Sequence, residues 1–179
     1  MELSLLLQIK KYLKKDWIIK MQIVSFIKDS TIECSPFNWG LTLFSYGCNF
    51  RCKMCQGYNY EKVMDKANII GEARSIIEEN ITPLHDCVVF LGGEPTIWGA
   101  ELVGCLRICH AKGLKTKIFS NGYNYELIEE INNQKLCDAW SIDFKGLNNI
   151  QAFSLLSVFS CNLFCAFSSH LHSSFYNLS

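Results

Sequence analysis

The chain has 179 residues, of which 49% are hydrophobic, and its equal numbers of acidic and basic residues give a formal net charge of zero. This length and hydrophobic content are typical of one globular domain with a sizeable core. The lack of a charge excess gives no electrostatic reason to expect nucleic acid or an anionic membrane as the main partner.

Ten cysteines are many for a chain of this length. The apolar run Met1–Leu7 is too short for a secretory signal, and Glu2 stands where a signal would carry a basic residue. We therefore expect a cytoplasmic protein whose cysteines are thiols or metal ligands rather than disulfides.

Residues 1–20 are predicted to be a basic extension that precedes the folded domain. Five lysines alternate with apolar residues in this segment, which suits an amphipathic helix. Such a helix could dock on a partner or on a membrane surface, or it could be a solvated extension. We expect the solvated extension.

Residues 21–150 are predicted to form one domain in which strands and helices alternate. Hydrophobic periodicity and turn residues predict strands at 41–46, 87–91, 114–119 and 139–144, and helices at 69–79, 100–111 and 125–132. This alternation indicates an α/β fold with about four parallel βα units. In folds of this kind the chemistry lies at the carboxyl ends of the strands.

Residues 151–179 differ in composition from the rest of the chain. They contain no Lys, Arg, Asp or Glu, and their apolar run at 152–167 is shorter than the roughly 20 residues that a membrane span needs. A hydrophobic tail, a docking segment and a divergent end of the reading frame all remain open for this uncharged tail.

The main chemical signal is a run of three cysteines, Cys48, Cys52 and Cys55, directly after the first predicted strand. Closely spaced thiolates on one loop can wrap a metal centre. Three ligands would leave one iron of a 4Fe–4S cluster without a protein ligand, which is what a catalytic centre needs. The alternatives are a zinc site, which usually takes four ligands in spaced pairs, and unrelated structural cysteines.

Three further motifs follow at the ends of the next three predicted strands. Gly92 and Gly93 let the backbone approach a ligand closely, and Glu94 can accept hydrogen bonds from an ammonium group. Ser120-Asn121-Gly122 and Asp143-Phe144-Lys145 follow in order. Each motif alone could be an ordinary turn or an exposed ion pair, but four in this order favour a shared site.

With these motifs, the segment 44–58 resembles the radical S-adenosylmethionine superfamily, and within it the glycyl-radical-enzyme activases. The type that it resembles most is the activating protein of anaerobic ribonucleoside-triphosphate reductase. The resemblance covers about residues 21–146 and implies a partial, shortened parallel (β/α) barrel. The assignment to the activases depends on Gly47, on the composition of the cysteine loop and on the segment 142–146.

The resemblance implies a role for each motif residue. Cys48, Cys52 and Cys55 would bind a [4Fe–4S] cluster, and the remaining residues would contact S-adenosylmethionine. Met54 stands where the family usually has an aromatic residue near the adenine, and Met packing can replace that contact. The amino group would meet Gly92, Gly93 and Glu94, the ribose would lie near Ser120 and Asn121, and the methionyl end would lie near Asp143 and Lys145.

The implied chemistry is reductive cleavage of S-adenosylmethionine to methionine and a 5′-deoxyadenosyl radical, which abstracts a hydrogen from a glycine of a partner enzyme. The implied partners are a glycyl radical enzyme, anaerobic ribonucleoside-triphosphate reductase, and a low-potential electron donor such as flavodoxin. No nucleic acid or membrane partner is expected, and no side chain is needed as a general base. The alternatives are a radical enzyme acting on a small molecule, of the 7-carboxy-7-deazaguanine synthase type, and a non-enzymatic metal-binding module.

Five other cysteines within residues 21–150 are expected to be buried as small hydrophobic residues rather than to hold a second cluster. They are Cys34, Cys87, Cys105, Cys109 and Cys137.

Overall fold

A computed structural model describes residues 20–52, 55 and 64–143. Nearly all of the N-terminal extension and the whole uncharged tail lie outside the described residues. None of the described helices is long and apolar enough to cross a lipid bilayer.

The described chain forms a mixed six-stranded sheet with helices, which confirms the α/β class. The strands are β1 (Gln22–Ser30), β2 (Gly40–Ser45), β3 (Gly71–Glu72), β4 (Cys87–Gly92), β5 (Lys115–Ser120) and β6 (Ala139–Ile142). The helices are α1 (Ala73–Asn80), α2 (Ala100–Ala111) and α3 (Tyr125–Asn133), with short 3-10 helices at Lys66–Asn68 and Pro95–Trp98.

The sheet order is β3-β1-β2-β4-β5-β6. Strands β2, β4, β5 and β6 are parallel to one another, and they are the four strands that the sequence predicts. Strands β1 and β3 extend the sheet with antiparallel pairings that the sequence analysis did not predict. Within the described residues the sheet is not closed, so the molecule is consistent with a partial barrel.

The helix predicted at 69–79 begins later, at Ala73. The prediction was wrong at this end because Gly71 and Glu72 pair with Gln22 and Ile23 as strand β3. Helical periodicity alone does not detect a tertiary pairing of this kind. The other two helices agree closely with the prediction, and α2 has the same bounds.

The two faces of the sheet differ in what covers them. Alternate residues of β4 such as Val88 and Phe90 belong to the large apolar core, which also contains the buried sides of all three helices. Val89 points to the other face, where a smaller buried cluster contains Cys34 and Cys87. This alternation follows from the twofold side-chain period of a strand.

The turn before β2 is fixed by the carboxylate of Asp86, which immediately precedes β4. Its oxygens accept hydrogen bonds from the amide of Asn38 at 3.0 Å, from the side chain of Asn38 at 3.1 Å and from the amide of Trp39 at 3.0 Å. Burial acts to raise the pKa of Asp86, but these bonds outweigh it and hold the pKa below its ordinary value. Folding therefore stabilises the ionised form.

We expect Asp86→Asn to lower the free energy of unfolding by about 1 kcal/mol at pH 7, because an amide cannot accept all three bonds. A lowered native pKa means that this contribution is complete above the unfolded value of about 4 and is lost as the pH falls through the native pKa. Urea unfolding of wild type and variant at pH 7 and at pH 3 measures this. The difference should shrink at pH 3.

Asp65→Asn is the matched control, because Asp65 is exposed and accepts one backbone bond, from Ala67 at 2.9 Å. An Asp86→Asn effect that equals the control at pH 7, or that is unchanged at pH 3, would contradict this role.

Candidate active site

The four motifs meet at one edge of the sheet, as the sequence predicts. The cysteine loop begins where β2 ends, Gly92 closes β4, Ser120 closes β5 and Asp143 follows β6. These four strands are parallel, so their carboxyl ends share this edge. The backbone amide of Asp143 donates to the carbonyl of Ser120 at 2.9 Å, which joins the last two motifs. Met54 and Lys145 lie outside the described residues.

The two glycines fix the start of the cysteine loop against the end of β4. The Gly93 amide donates to the Ser45 carbonyl at 3.0 Å, and the Glu94 amide donates to the Gly47 carbonyl at 2.8 Å. A Cβ on Gly93 would lie 1.8 Å from the Gly47 oxygen, and Gly92 has a left-handed φ of 109°. Both positions therefore need glycine for backbone packing, whether or not a ligand approaches them.

Glu94 is the buried centre of this edge, with 1% of its surface exposed. One carboxylate oxygen accepts bonds from the amide of Thr96 at 3.1 Å, from its hydroxyl at 2.7 Å and from the hydroxyl of Ser120 at 2.8 Å. The other oxygen accepts from the amide of Asn121 at 2.6 Å. Burial raises the pKa of Glu94, and these hydrogen bonds oppose that rise. The carboxylate thus ties the end of β4 to the end of β5.

We expect Thr96→Val to cost about 2 kcal/mol of unfolding free energy at pH 8, because a bond to a buried charged acceptor is lost without a change of shape. Thr116→Val is the matched control: Thr116 is also fully buried, and its hydroxyl donates to the neutral carbonyl of Leu136 at 2.7 Å, with the carboxylate of Asp138 further away at 3.4 Å. The control should cost about half as much. Urea unfolding compares the two, and equal costs would show that Glu94 is not held as a carboxylate.

The cysteine loop is also attached to the end of β5. The side-chain amide of Asn121 donates to the side-chain oxygen of Asn49 at 2.8 Å. Phe50 is the residue after Asn49, and Tyr123 lies two residues after Asn121. Their rings meet edge to face, with centroids 5.6 Å apart and planes at 75°. A polar and an aromatic contact therefore set the position of the loop relative to Glu94.

All three loop cysteines are free thiols and partly exposed. The amide of Phe50 donates to the sulfur of Cys48 at 3.4 Å. Burial raises the pKa of the Cys48 thiol, the Phe50 bond opposes this, and the charges of Glu94, Cys52 and Cys55 raise it further. The three thiols and the buried carboxylate therefore share one electrostatic neighbourhood.

Cysteine thiolates are the donors that hold iron–sulfur clusters, and this loop offers three of them. Over the ranges that the structure describes, no three His, Cys, Asp or Glu side chains stand close enough to hold a metal ion. The fit of the loop to a cluster therefore depends on the identity of its donors and on the position of Cys48 near Glu94.

Two residues of this edge were missed by the sequence analysis, Asn49 and Thr96. Asn49 lies inside the cysteine motif, but only the bond from Asn121 gives it a role. Thr96 lies two residues after Glu94, and its hydroxyl donates to the Glu94 carboxylate at 2.7 Å. A hydroxyl that follows a carboxylate by two residues, at the start of a helical turn, is typical of helix capping. The sequence therefore does carry a signal for Thr96.

Comparison with known proteins agrees with this geometry. The family model described as the radical SAM superfamily matches residues 42–160. Two proteins of Methanocaldococcus jannaschii, each named "putative glycyl-radical enzyme activating enzyme", are similar to the chain. One is 31% identical over 69% of this chain and 50% of its own length, and the other is 26% identical over 65% of this chain and 44% of its own length. The chain thus spans about half the length of these relatives.

Proposed function

This chain belongs to the radical S-adenosylmethionine superfamily, and we propose that it activates a glycyl radical enzyme by placing a radical on a glycine of that protein. Membership of the superfamily implies a [4Fe–4S] cluster and S-adenosylmethionine. The observation that carries the proposal is the meeting of the cysteine loop with Glu94, Ser120 and Asn121 at the carboxyl edge of four parallel strands.

In this proposal Cys48, Cys52 and Cys55 hold the cluster, because they are the three thiols of the loop and the charges of Glu94, Cys52 and Cys55 all act on Cys48. When bound, the cluster and S-adenosylmethionine supply one electron and a sulfonium whose reductive cleavage gives methionine and a 5′-deoxyadenosyl radical. The protein orients the reactants and excludes water from them.

The buried polar residues provide the recognition of S-adenosylmethionine. We assign the ammonium group to Glu94, a buried carboxylate at the edge that holds the cysteine loop, and to the backbone of Gly92 and Gly93. Ser120 and Asn121 are the groups proposed for the ribose. The methionyl end is assigned to Asp143 and Lys145, with Met54 near the adenine.

The names of the two relatives support a protein substrate. We assign the substrate as an anaerobic ribonucleoside-triphosphate reductase, as the resemblance of the cysteine loop implies, and the electron donor as a low-potential protein such as flavodoxin. The proposed location is the cytoplasm.

Electron paramagnetic resonance tests this function. The reconstituted chain, S-adenosylmethionine, a reductant and the candidate reductase are mixed without oxygen, and the signal of a glycyl radical is sought on the reductase. We expect the signal with wild type and not with Cys52→Ala. If S-adenosylmethionine is cleaved but no radical appears on the reductase, the proposed substrate is wrong.

A further inference from the structure

The smaller buried cluster lies at the opposite edge of the sheet from the cysteine loop. Cys34, in the turn before β2, and Cys87, the first residue of β4, are both fully buried and belong to this cluster. Their sulfurs lie 2.7 Å and 2.4 Å from the point where a Cβ of Gly40 would be. Both sulfurs therefore lie in the space that a side chain at Gly40 would fill, and they are close enough to contact each other.

The contact between the two sulfurs is the main cause that shifts both pKa values, in opposite directions. It lowers the pKa of Cys34 and raises the pKa of Cys87. The hydroxyl of Thr42 also faces Cys34, and this buried oxygen has no conventional hydrogen-bond partner among the described residues. Of the two thiols, Cys34 is therefore the one that ionises more readily.

A buried ammonium group accompanies this pair. Lys117 is 4% exposed, and its ammonium donates to the carbonyl of Ser35, the residue after Cys34, at 2.6 Å. Over the described part of the chain no carboxylate lies within ion-pair distance of Lys117, whose ammonium lies 4.5 Å from the centre of the Phe119 ring. Burial lowers the pKa of Lys117, and the charge of Cys34 is the largest effect that opposes this. A buried lysine needs a compensating charge, and a Cys34 thiolate supplies one.

We propose that Cys34 and Cys87 are a redox-active thiol pair that closes to a disulfide when the chain meets a peroxide. The Cys34 thiolate attacks one peroxide oxygen, the O–O bond breaks, and the leaving hydroxide takes a proton to become water. Cys87 then attacks the sulfenic sulfur of Cys34, so that the S–S bond forms, the S–O bond breaks, and a second water leaves with the Cys87 proton. The two sulfurs together give two electrons to the peroxide.

This pair is separate from the proposed cluster ligands, because it lies at the amino ends of the parallel strands whereas Cys48 follows their carboxyl ends. Oxidation of the pair joins the turn before β2 to the start of β4 and leaves the cysteine loop unlinked. The pair therefore offers a site of oxidative modification that does not depend on the cluster.

Peptide mapping by mass spectrometry tests the proposal. The full chain is treated with hydrogen peroxide, the remaining thiols are alkylated under denaturing conditions, and the digest is analysed without reduction. We expect a Cys34–Cys87 cross-link in most molecules, with the loss of two hydrogens. Cys34 and Cys87 that both remain alkylated, or a cross-link of either residue to Cys48, would overturn the proposal.

Cys105 and Cys109 are an internal control in the same digest. They are equally buried and one helical turn apart on α2, but burial raises the pKa of Cys105 to about 12 and keeps that of Cys109 raised as well. They should stay as free thiols. If Cys105 and Cys109 were oxidised as fast as Cys34, burial alone would govern the rate of oxidation, and the proposed thiolate would play no part.

Two variants separate charge from packing. Lys117→Met should slow the cross-linking about tenfold, because the thiolate loses its compensating charge, and Lys117→Arg should restore the rate. An unchanged rate in Lys117→Met would contradict the role of the ammonium.

A variant with serine at Cys48, Cys52 and Cys55 should form the same disulfide, so the result is independent of the proposed function.

Discussion

Replacement of Cys52 by alanine is expected to reduce the iron and sulfide retained after anaerobic reconstitution by at least about tenfold. Cys52 is one of three partly exposed thiols on the loop that follows β2. With three ligands there is no spare thiol on this loop, and the other cysteines that the structure describes lie elsewhere: in the turn before β2, in β4, in α2 and in the segment between α3 and β6. Loss of one ligand therefore cannot be compensated nearby.

Iron and sulfide assays with the absorbance spectrum of the reconstituted chain measure this effect. Cys137→Ser is the matched control, because the Cys137 thiol donates to the carbonyl of Ala139 at 2.9 Å and a serine hydroxyl can replace that donor. The control should bind iron as wild type does. Equal iron in Cys52→Ala and wild type would remove Cys52 from the ligand set.

Gly93→Ala is expected to lower the free energy of unfolding by more than about 3 kcal/mol and to prevent cluster binding. The added Cβ would stand 1.8 Å from the carbonyl oxygen of Gly47, and the atom that it meets is backbone. To relieve the contact, the start of the cysteine loop must separate from the end of β4. That movement breaks the hydrogen bond from Glu94 to Gly47.

Gly71→Ala is the control, because a Cβ on Gly71 would meet the end of the Ile76 side chain at 3.5 Å, an ordinary van der Waals distance. Urea unfolding and the iron content of both variants distinguish the two sites. A Gly93→Ala variant as stable as Gly71→Ala, with full iron content, would show that the loop does not depend on this backbone contact.

The sequence predicts the parallel strands and the edge where the motifs meet, because their signals are local. Strand β4 is a continuous apolar run, Cys87–Leu91, and α2 ends just before Gly113, whose positive φ of 75° suits a helix terminus. Once four such strands are known to be parallel, the carboxyl ends must lie together. The place of Cys48, Glu94, Ser120 and Asp143 on one edge follows from that rule.

The sequence does not predict the antiparallel strands or the contacts between motifs, because these depend on residues far apart in the chain. Strand β3 has two residues, and it exists only because Gln22 and Ile23 pair with them. Likewise, the bond from Asn121 to Asn49 joins residues 72 positions apart. The two motif glycines were expected to admit a ligand, and the structure adds a backbone contact that no sequence pattern indicates.

The contact within the thiol pair is not predicted from the sequence either, because it also depends on residues far apart in the chain. Cys34 and Cys87 are expected from residue type to be buried as small hydrophobic residues, and their burial is confirmed. Their mutual contact beside Lys117 depends on the register that sets Gly40 opposite Cys87. Burial can be expected from residue type, whereas the identity of a buried neighbour cannot.

The most direct test of the central claim is the amount of 5′-deoxyadenosine formed by the reconstituted chain with S-adenosylmethionine and dithionite in the absence of oxygen. If the cysteine loop holds an open iron beside Glu94, wild type should form 5′-deoxyadenosine and methionine in equal amounts, and Cys52→Ala should form neither. Equal product from wild type and Cys52→Ala, or none from a wild-type chain that carries its full iron and sulfide, would contradict the claim.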